Sequence, residues 1–212
     1  MAVTEVDRLF AGSIPQLYDE YMVPLIFEPY AVDLASRVAM CQPSCVLEIA
    51  AGTGVVTRHL ASALRPEVQI IATDLRLGGT FIFNVWDTID QNEFADAVTC
   101  ALQKMFPADP PRFMARVPHG YSVPELSTKH LAEGGFARPP RLTTLAEKSR
   151  ATSASIPAIA YCQGTLLKSE IEARGPLRLV EATDAATTEI RQRFGQGAVE
   201  GKIQAHIITT LR

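Results

Sequence analysis

The stretch Ile70–Trp86, IIATDLRLGGTFIFNVW, holds two strand patterns with almost no chain between them. If IIAT and TFIFNVW were parallel neighbours, the chain would have to return over a strand length of about 17–20 Å. The five residues Leu75–Gly79 reach at most about 16–18 Å when fully extended. The link therefore disfavours a parallel pair. Either the strands form an antiparallel hairpin through the Gly-Gly turn, or they lie apart with a strained connection.

The composition is that of an ordinary globular domain. The chain has 212 residues, of which 47% are hydrophobic and 20% charged, which suits a single domain over 1–212. A net charge of −3 gives no electrostatic case for nucleic acid or an anionic membrane as a partner. The N-terminal MAVTEVDRLF lacks the apolar core of a signal peptide, and no run of about 18 apolar residues predicts a membrane span. We expect a cytoplasmic protein.

The cysteines predict neither a metal site nor a disulfide framework. Cys41, Cys45, Cys100 and Cys162 form no C-x-x-C pair, and the four histidines are too scattered to complete a zinc pattern. We expect buried, reduced thiols and no metal.

Helical and strand patterns alternate along most of the chain. Residues 14–40 and the segments NEFADAVTCALQKMF, VPELSTKHLAEGGF, IPAIAYCQGTLLKSEIEAR and DAATTEIRQRFG read as helices. SCVLEIA, apolar on both faces, predicts a central parallel strand, and RLTTLAEKSR a further strand. KIQAHIITTL predicts a terminal strand, antiparallel at a sheet edge. The alternation indicates a doubly wound α/β sheet.

One segment carries chemistry, VLEIAAGTGVVTRHL at residues 46–60. A strand runs into a glycine turn that opens a helix, so backbone amides and side-chain-free glycines can approach a polar ligand. Asp74 lies twenty residues beyond Gly54, where an acid receives a ribose diol. A dinucleotide fingerprint would need a third glycine at position 57, and Thr57 stands there. This weakens the interpretation as an NAD-dependent dehydrogenase.

The pattern Glu48-x-Ala50-x-Gly52-x-Gly54 resembles the first motif of the class I S-adenosylmethionine-dependent methyltransferases of the small-molecule type. In that family the acid holds the cationic methionine amino group, for which a carboxylate is suited. The resemblance continues in the N-terminal helices, in GGTFIFNVWD, in the HGY loop at 119–121, in the L-x-x-G-G-F helix end and in the final strand. The cofactor-binding residues that it implies are Tyr18, Glu48, Ala50, Gly52, Thr53, Gly54 and Asp74.

The resemblance implies a Rossmann-like methyltransferase sheet with helices on both faces. Its parts would be N-terminal cap helices at 1–40, a cofactor-binding half at 44–75 and a C-terminal half at 76–212. In the family a third and a fourth strand, with their helices, separate the strand of Asp74 from an LRPGG turn. Here LRLGG follows Asp74 at once. About two strands and their helices, on the order of 50–60 residues, are therefore missing, as in a truncated gene product.

Methyl transfer needs a general base only for poorly nucleophilic acceptors. His119 and Tyr121 of the HGY loop and Asp87 after NVW are the candidates, although His119 could be solvated or structural and Asp87 could cap the next helix. Trp86 either lines the substrate pocket or fills the core. Tyr18 either closes over the cofactor or packs within its helix.

Two functions follow. The first is an S-adenosylmethionine-dependent methyltransferase acting on a small-molecule acceptor. The second is a non-catalytic, truncated relative with weak or no cofactor binding, since the missing block supplies part of the adenine pocket. Exposed apolar flanks of the first and fifth strands of the family sheet also predict a homodimer.

Overall fold

The structure, a computed structural model, describes residues 13–48, 53–71, 80–136, 138–175 and 177–211. Within these ranges the chain is a mixture of helices and strands, which is compatible with the α/β class. The strands form a parallel pair and a three-stranded antiparallel sheet, so the described part of the chain does not show the predicted doubly wound, Rossmann-like sheet. The connector Leu75–Gly79 lies outside the described residues.

Five strands are present in the described ranges. They are β1 (Cys45–Leu47), β2 (Gln69–Ile71), β3 (Thr80–Trp86), β4 (Arg141–Ala151) and β5 (Val199–Leu211). The α-helices in the same ranges are α1 (Ile14–Leu17), α2 (Glu28–Met40), α3 (Val55–Ala63), α4 (Glu93–Met105), α5 (Phe113–Arg116), α6 (Pro124–Glu133), α7 (Ser155–Gln163), α8 (Leu167–Glu172) and α9 (Arg178–Phe194). A π-helical segment, Tyr18–Phe27, joins α1 to α2, and a 3-10 turn, Ile89–Gln91, precedes α4.

The strands of the opening stretch belong to different sheets. β2 pairs with β1 in parallel, with Ile70 opposite Val46. β3 pairs antiparallel with β5, with Phe83 opposite Ile208. The hairpin alternative is therefore wrong, because β2 and β3 each pair with another strand.

The terminal strand is antiparallel, as predicted, but it is not an edge strand. β5 lies between β3 and β4 and pairs antiparallel with both. The physical reason is its burial on both faces, since the successive residues Ile207 and Ile208 are 2% and 0% exposed. A strand covered on both faces is suited to the centre of a sheet.

Strand β3 is incompletely covered, in contrast to β5. All of its residues are partly exposed, although five of the seven in TFIFNVW are apolar. The rings of Phe81 and Phe83 lie 4.9 Å apart, and Phe136 stacks on Phe81 at 5.8 Å. Over the described residues its sole strand partner is β5. The homodimer expected from such flanks stays a prediction.

Two hydrogen bonds fasten the N-terminal helices to the three-stranded sheet. The hydroxyl of Ser149 donates to the Leu25 carbonyl at 2.7 Å, and Tyr30 Oη donates to the Leu145 carbonyl at 3.2 Å. Pro29 lies in the first turn of α2, where its missing N–H costs no helical hydrogen bond. The Ser149 bond ties the π-helical segment, in which Leu25 lies, to β4.

The main core is formed by α4, α7, α9 and one face of β5. Its fully buried side chains include Phe94 and Val98 of α4, Tyr161 of α7 and Ile190 of α9. Smaller clusters surround α3, where Leu60 packs with Ala35 and Val46. These contacts hold α3 between α2 and the β1–β2 pair. The first turn of α3 directly follows Gly54.

Candidate functional site

The strand, turn and helix of the glycine motif are in the expected order. Glu48 directly follows β1, and α3 begins at Val55. Gly54 has φ of +81°, in the left-handed region that favours glycine. The first backbone bond of the helix runs from the Arg58 amide to the Gly54 carbonyl, at 3.0 Å. The amides of the first turn, before Arg58, are the donors that a helix leaves for an external acceptor.

The carboxylate of Glu48 is oriented by a threonine of the next helix. Thr57 Oγ1 donates a hydrogen bond of 2.6 Å to Glu48 Oε2. This contact uses one oxygen of the carboxylate and fixes its plane, which leaves Oε1 for a further donor. The position that a dinucleotide fingerprint assigns to glycine therefore holds a residue that orients an acid.

Thr53 is a further polar residue of the turn. Its hydroxyl is buried, and within the described part of the chain it makes no hydrogen bond. A buried hydroxyl without a partner costs about 1–3 kcal/mol. A hydroxyl with free donor and acceptor capacity, one residue before Gly54, is suited to contact with a bound polar group.

Three residues of the predicted cofactor site cannot be placed against this geometry. Ala50, Gly52 and Asp74 lie outside the described residues. The described members are Tyr18, Glu48, Thr53 and Gly54, of which the last three surround the turn.

An open cavity of about 290 Å³ lies beside the first turn of α3. Val55 and Val56 form one wall, α2 contributes Tyr30 and Ala31, and the end of β3 contributes Trp86. The cavity thus lies between the helix that follows β1 and the last residues of β3. The sequence left Trp86 either in the core or in a pocket, and in the structure it both packs against the main core and lines the cavity.

Tyr18 lies in an apolar cluster beside this cavity. Its ring is 5.0 Å from that of Phe27, and both pack against Val23, Ala31 and Val55. Burial raises the pKa of the Tyr18 hydroxyl. Two polar contacts hold α3 against these helices, between His59 Nε2 and Glu28 Oε1 at 2.8 Å and between Arg58 and Asp19 at 3.9 Å.

Asp87 is held in a polar network at the end of β3. Its Oδ1 accepts from the Thr88 amide at 2.7 Å, and its Oδ2 accepts from Gln204 Nε2 at 2.6 Å and lies 3.3 Å from His206 Nε2. Burial raises the pKa of the Asp87 carboxyl, but the hydrogen bonds from Gln204 and Thr88 and the neighbouring His206 outweigh it and hold the pKa below its ordinary value. A carboxylate with both oxygens engaged is a weak base.

His119 and Tyr121 occupy different surroundings although they are two residues apart. His119 is 8% exposed, and its Nδ1 lies 2.7 Å from the Asp87 carbonyl oxygen. Burial lowers the pKa of His119, so the ring is neutral and donates from Nδ1. Tyr121 lines the cavity, and its hydroxyl lies 2.7 Å from His130 Nδ1.

The structure therefore brings His119 to Asp87 at the end of β3, next to Trp86, and places Tyr121 in the lining of the same cavity as Trp86. Sequence reasoning missed several contributors, namely the orienting role of Thr57, the cavity residues Tyr30 and Asn84, and the Asp87 partners Gln204 and His206. The spacing of nine residues between Glu48 and Thr57 was the available signal, since it places both beside the same turn.

The cysteine prediction is partly wrong. Cys162 is buried, and burial raises the pKa of its thiol to about 12. Cys41 and Cys45 are exposed, because α2 ends before Cys41 and Cys45 begins the short strand β1. Among the described residues, no group of three or more His, Cys, Asp or Glu side chains is arranged to hold a metal ion. No helix in the described ranges has the length and apolar character needed to span a bilayer.

No protein-family model matches the sequence of this chain. A search of curated proteins also finds no match.

Proposed function

We propose that this chain is an S-adenosylmethionine-dependent methyltransferase acting on a small molecule. The observation that carries the proposal is the Glu48 carboxylate, oriented by Thr57 at 2.6 Å next to the glycine turn. A fixed carboxylate favours a cationic amino group and disfavours a pyrophosphate, which would meet like charge.

The residues of the turn fit the methionine end of this cofactor. Glu48 would hold the amino group, while the amides at the start of α3 and the unpartnered Thr53 hydroxyl offer donors to its carboxylate. When bound, S-adenosylmethionine supplies an electrophilic methyl group on a sulfonium. The chain itself then has to position the acceptor and exclude water.

The cavity between α3 and β3 is the site proposed for the acceptor. It adjoins the first turn of α3 through Val55 and Val56, and Trp86 closes it on the β3 side. Among the three proposed catalytic residues, Tyr121 lines the cavity, whereas Asp87 and His119 are not part of its lining and are joined to each other in the polar network. Tyr121 is accordingly the group best placed to take the proton of the methyl acceptor's nucleophile, while its own hydroxyl proton passes to His130 Nδ1, 2.7 Å away.

The finer fold proposal is a class I sheet in two parts. The parallel pair β1–β2 would be the cofactor-binding half, and β3–β5–β4 the C-terminal half with its antiparallel final strand. All residues of β3 are partly exposed. This supports the proposal that the family's central strands, which would cover β3, are missing from this chain.

The same exposure favours a second candidate, a non-catalytic methyltransferase-like protein. Without the central strands, part of the adenine pocket would be absent and cofactor binding would lose apolar burial. This candidate predicts weak binding and no methyl transfer.

Calorimetry with S-adenosylhomocysteine tests the proposal. Binding with one site per chain, lost in Glu48→Gln, supports a cofactor site, since the glutamine keeps the shape and the Thr57 contact but removes the charge. No binding at millimolar ligand would overturn the proposal, as would equal binding of NAD. Transfer of a labelled methyl group to a panel of small phenols, amines and thiols then separates the enzyme from its non-catalytic alternative.

A further inference from the structure

The wall of the cavity between α3 and β3 carries no charge among the described residues that line it. The lining residues that carry a polar side-chain group are Asn84, Tyr30, Tyr121 and Trp86, and the rest of the lining is aliphatic or aromatic. Transfer of an ionised group into such a site without a partner is costly. The lining therefore selects against charged ligands.

The volume limits the size of a ligand. An apolar cavity of about 150 Å³ accommodates benzene, and ligand pockets generally begin at about 300 Å³. The cavity of about 290 Å³ is suited to two fused rings.

The aromatic rings do not form a cage for a cation. Tyr30 meets Trp86 edge to face, with centroids 5.0 Å apart and planes at 80°, and Phe27 meets it at 5.6 Å and 61°. The rings thus pack against one another, whereas an ammonium ion requires several free ring faces around it.

We propose that this cavity binds the methyl acceptor and that the acceptor is an uncharged, flat, largely apolar molecule of about two fused rings. The assignment of the ligand as acceptor rests on the proposed function. The selection for a neutral ligand rests on the lining alone. Polar side chains of the wall, such as Asn84 and Tyr121, would orient the one polar group of such a ligand.

The chain contains its own reporter for this site, because Trp86 is the single tryptophan of the sequence and lines the cavity. We would titrate the protein with indan-2-ol, indane-2-carboxylate and 2-aminoindane, which share a two-ring shape but differ in charge. Tryptophan emission is followed with excitation at the red edge of its absorption, where these probes do not absorb. Indan-2-ol should give a saturable change, and both charged probes should bind at least about tenfold more weakly.

Two variants test whether the probe occupies this cavity. Ala31 is 2% exposed and lines it, so Ala31→Leu should fill it and abolish the change. Ala39→Leu makes the same change on the same helix, outside the cavity lining, and should leave binding intact. Val117 lines the cavity and is 38% exposed, so Val117→Lys is compatible with folding. It should improve the binding of indane-2-carboxylate relative to indan-2-ol.

Equal or tighter binding of either charged probe to the wild-type protein would overturn the proposal. So would the absence of any saturable change with indan-2-ol, confirmed by calorimetry, or a Val117→Lys variant with unaltered probe preference. These titrations contain no cofactor. If the protein does not bind S-adenosylhomocysteine but prefers indan-2-ol, the proposed function is overturned and the neutral-ligand cavity stands. If it binds S-adenosylhomocysteine but shows no preference for indan-2-ol, the cavity proposal is overturned and the proposed function stands.

Discussion

Thr57 Oγ1 donates a hydrogen bond of 2.6 Å to Glu48 Oε2. The bond joins the end of the first strand to the first turn of the following helix, across the glycine turn. Because a threonine occupies the position where close helix–strand packing in a dinucleotide site requires glycine, the same residue disfavours a dinucleotide and orients the Glu48 carboxylate. This hydrogen-bonded pair therefore provides an oriented negative charge next to the turn.

The first prediction concerns this bond. Thr57→Val keeps the shape of the side chain and removes the donor, so Glu48 loses its orientation. A hydrogen bond to a charged group is worth about 1.5–3 kcal/mol, so the affinity for S-adenosylhomocysteine in calorimetry should fall about tenfold or more. Thr57→Ser should restore it. The affinity for 5′-methylthioadenosine, which lacks the amino acid part, should not change. Equal losses for both ligands would show that Thr57 serves the fold alone.

The second prediction uses the two buried hydroxyls that lack partners in the described part of the chain, Thr53 Oγ1 and Ser127 Oγ. Removing either should raise the free energy of unfolding of the unliganded protein by about 1 kcal/mol, since an unsatisfied buried group is lost. Thr53→Val should also weaken S-adenosylhomocysteine binding, whereas Ser127→Ala, in α6, should not. Urea unfolding with and without the ligand measures both effects. An unchanged affinity in Thr53→Val would remove this hydroxyl from the site.

The third prediction concerns the attachment of the N-terminal helices. Ser149 is fully buried and donates to the Leu25 carbonyl at 2.7 Å. Ser149→Ala should lower the free energy of unfolding by about 1–3 kcal/mol, because it leaves that carbonyl without this donor. Ser36→Ala is the matched control, since Ser36 is exposed and bonds within its own helix. Similar urea midpoints for both variants would contradict the argument.

The helices and most strand positions could be predicted from the sequence because their apolar periodicity is local. The expected glycine end of α6 is confirmed, since Gly135 has φ of +86° and the Phe136 amide bonds the Leu131 carbonyl at 3.0 Å. The central place of β5 was missed. Alternation in KIQAHIITTL suggests one solvent-facing side, whereas in the fold the successive residues Ile207 and Ile208 are both buried.

In the candidate site, too, residues that are close in sequence could be predicted and contacts between distant residues could not. Glu48 and Gly54 could be identified from spacing, because the turn is local in sequence. The partners of Asp87 could not, since Gln204 lies 117 residues away and reaches it through the β3–β5 pairing. The cavity likewise depends on the packing of α2, α3 and β3, which no local pattern specifies.

The last prediction concerns pH. His119 is buried with its Nδ1 on the Asp87 carbonyl, and burial lowers its pKa in the folded state. The unfolded chain then binds the proton more readily, so stability is retained above the unfolded histidine pKa of about 6.5 and is lost as the pH falls below it. His119→Asn keeps a donor for the carbonyl but does not titrate. Urea unfolding between about pH 5 and 7.5 should show a smaller loss of stability on acidification in this variant than in the wild type.

His130→Asn, at an exposed histidine, controls for the loss of an imidazole as such. If His119→Asn and the wild-type protein lose stability in parallel, the buried ring is not the group that responds to pH.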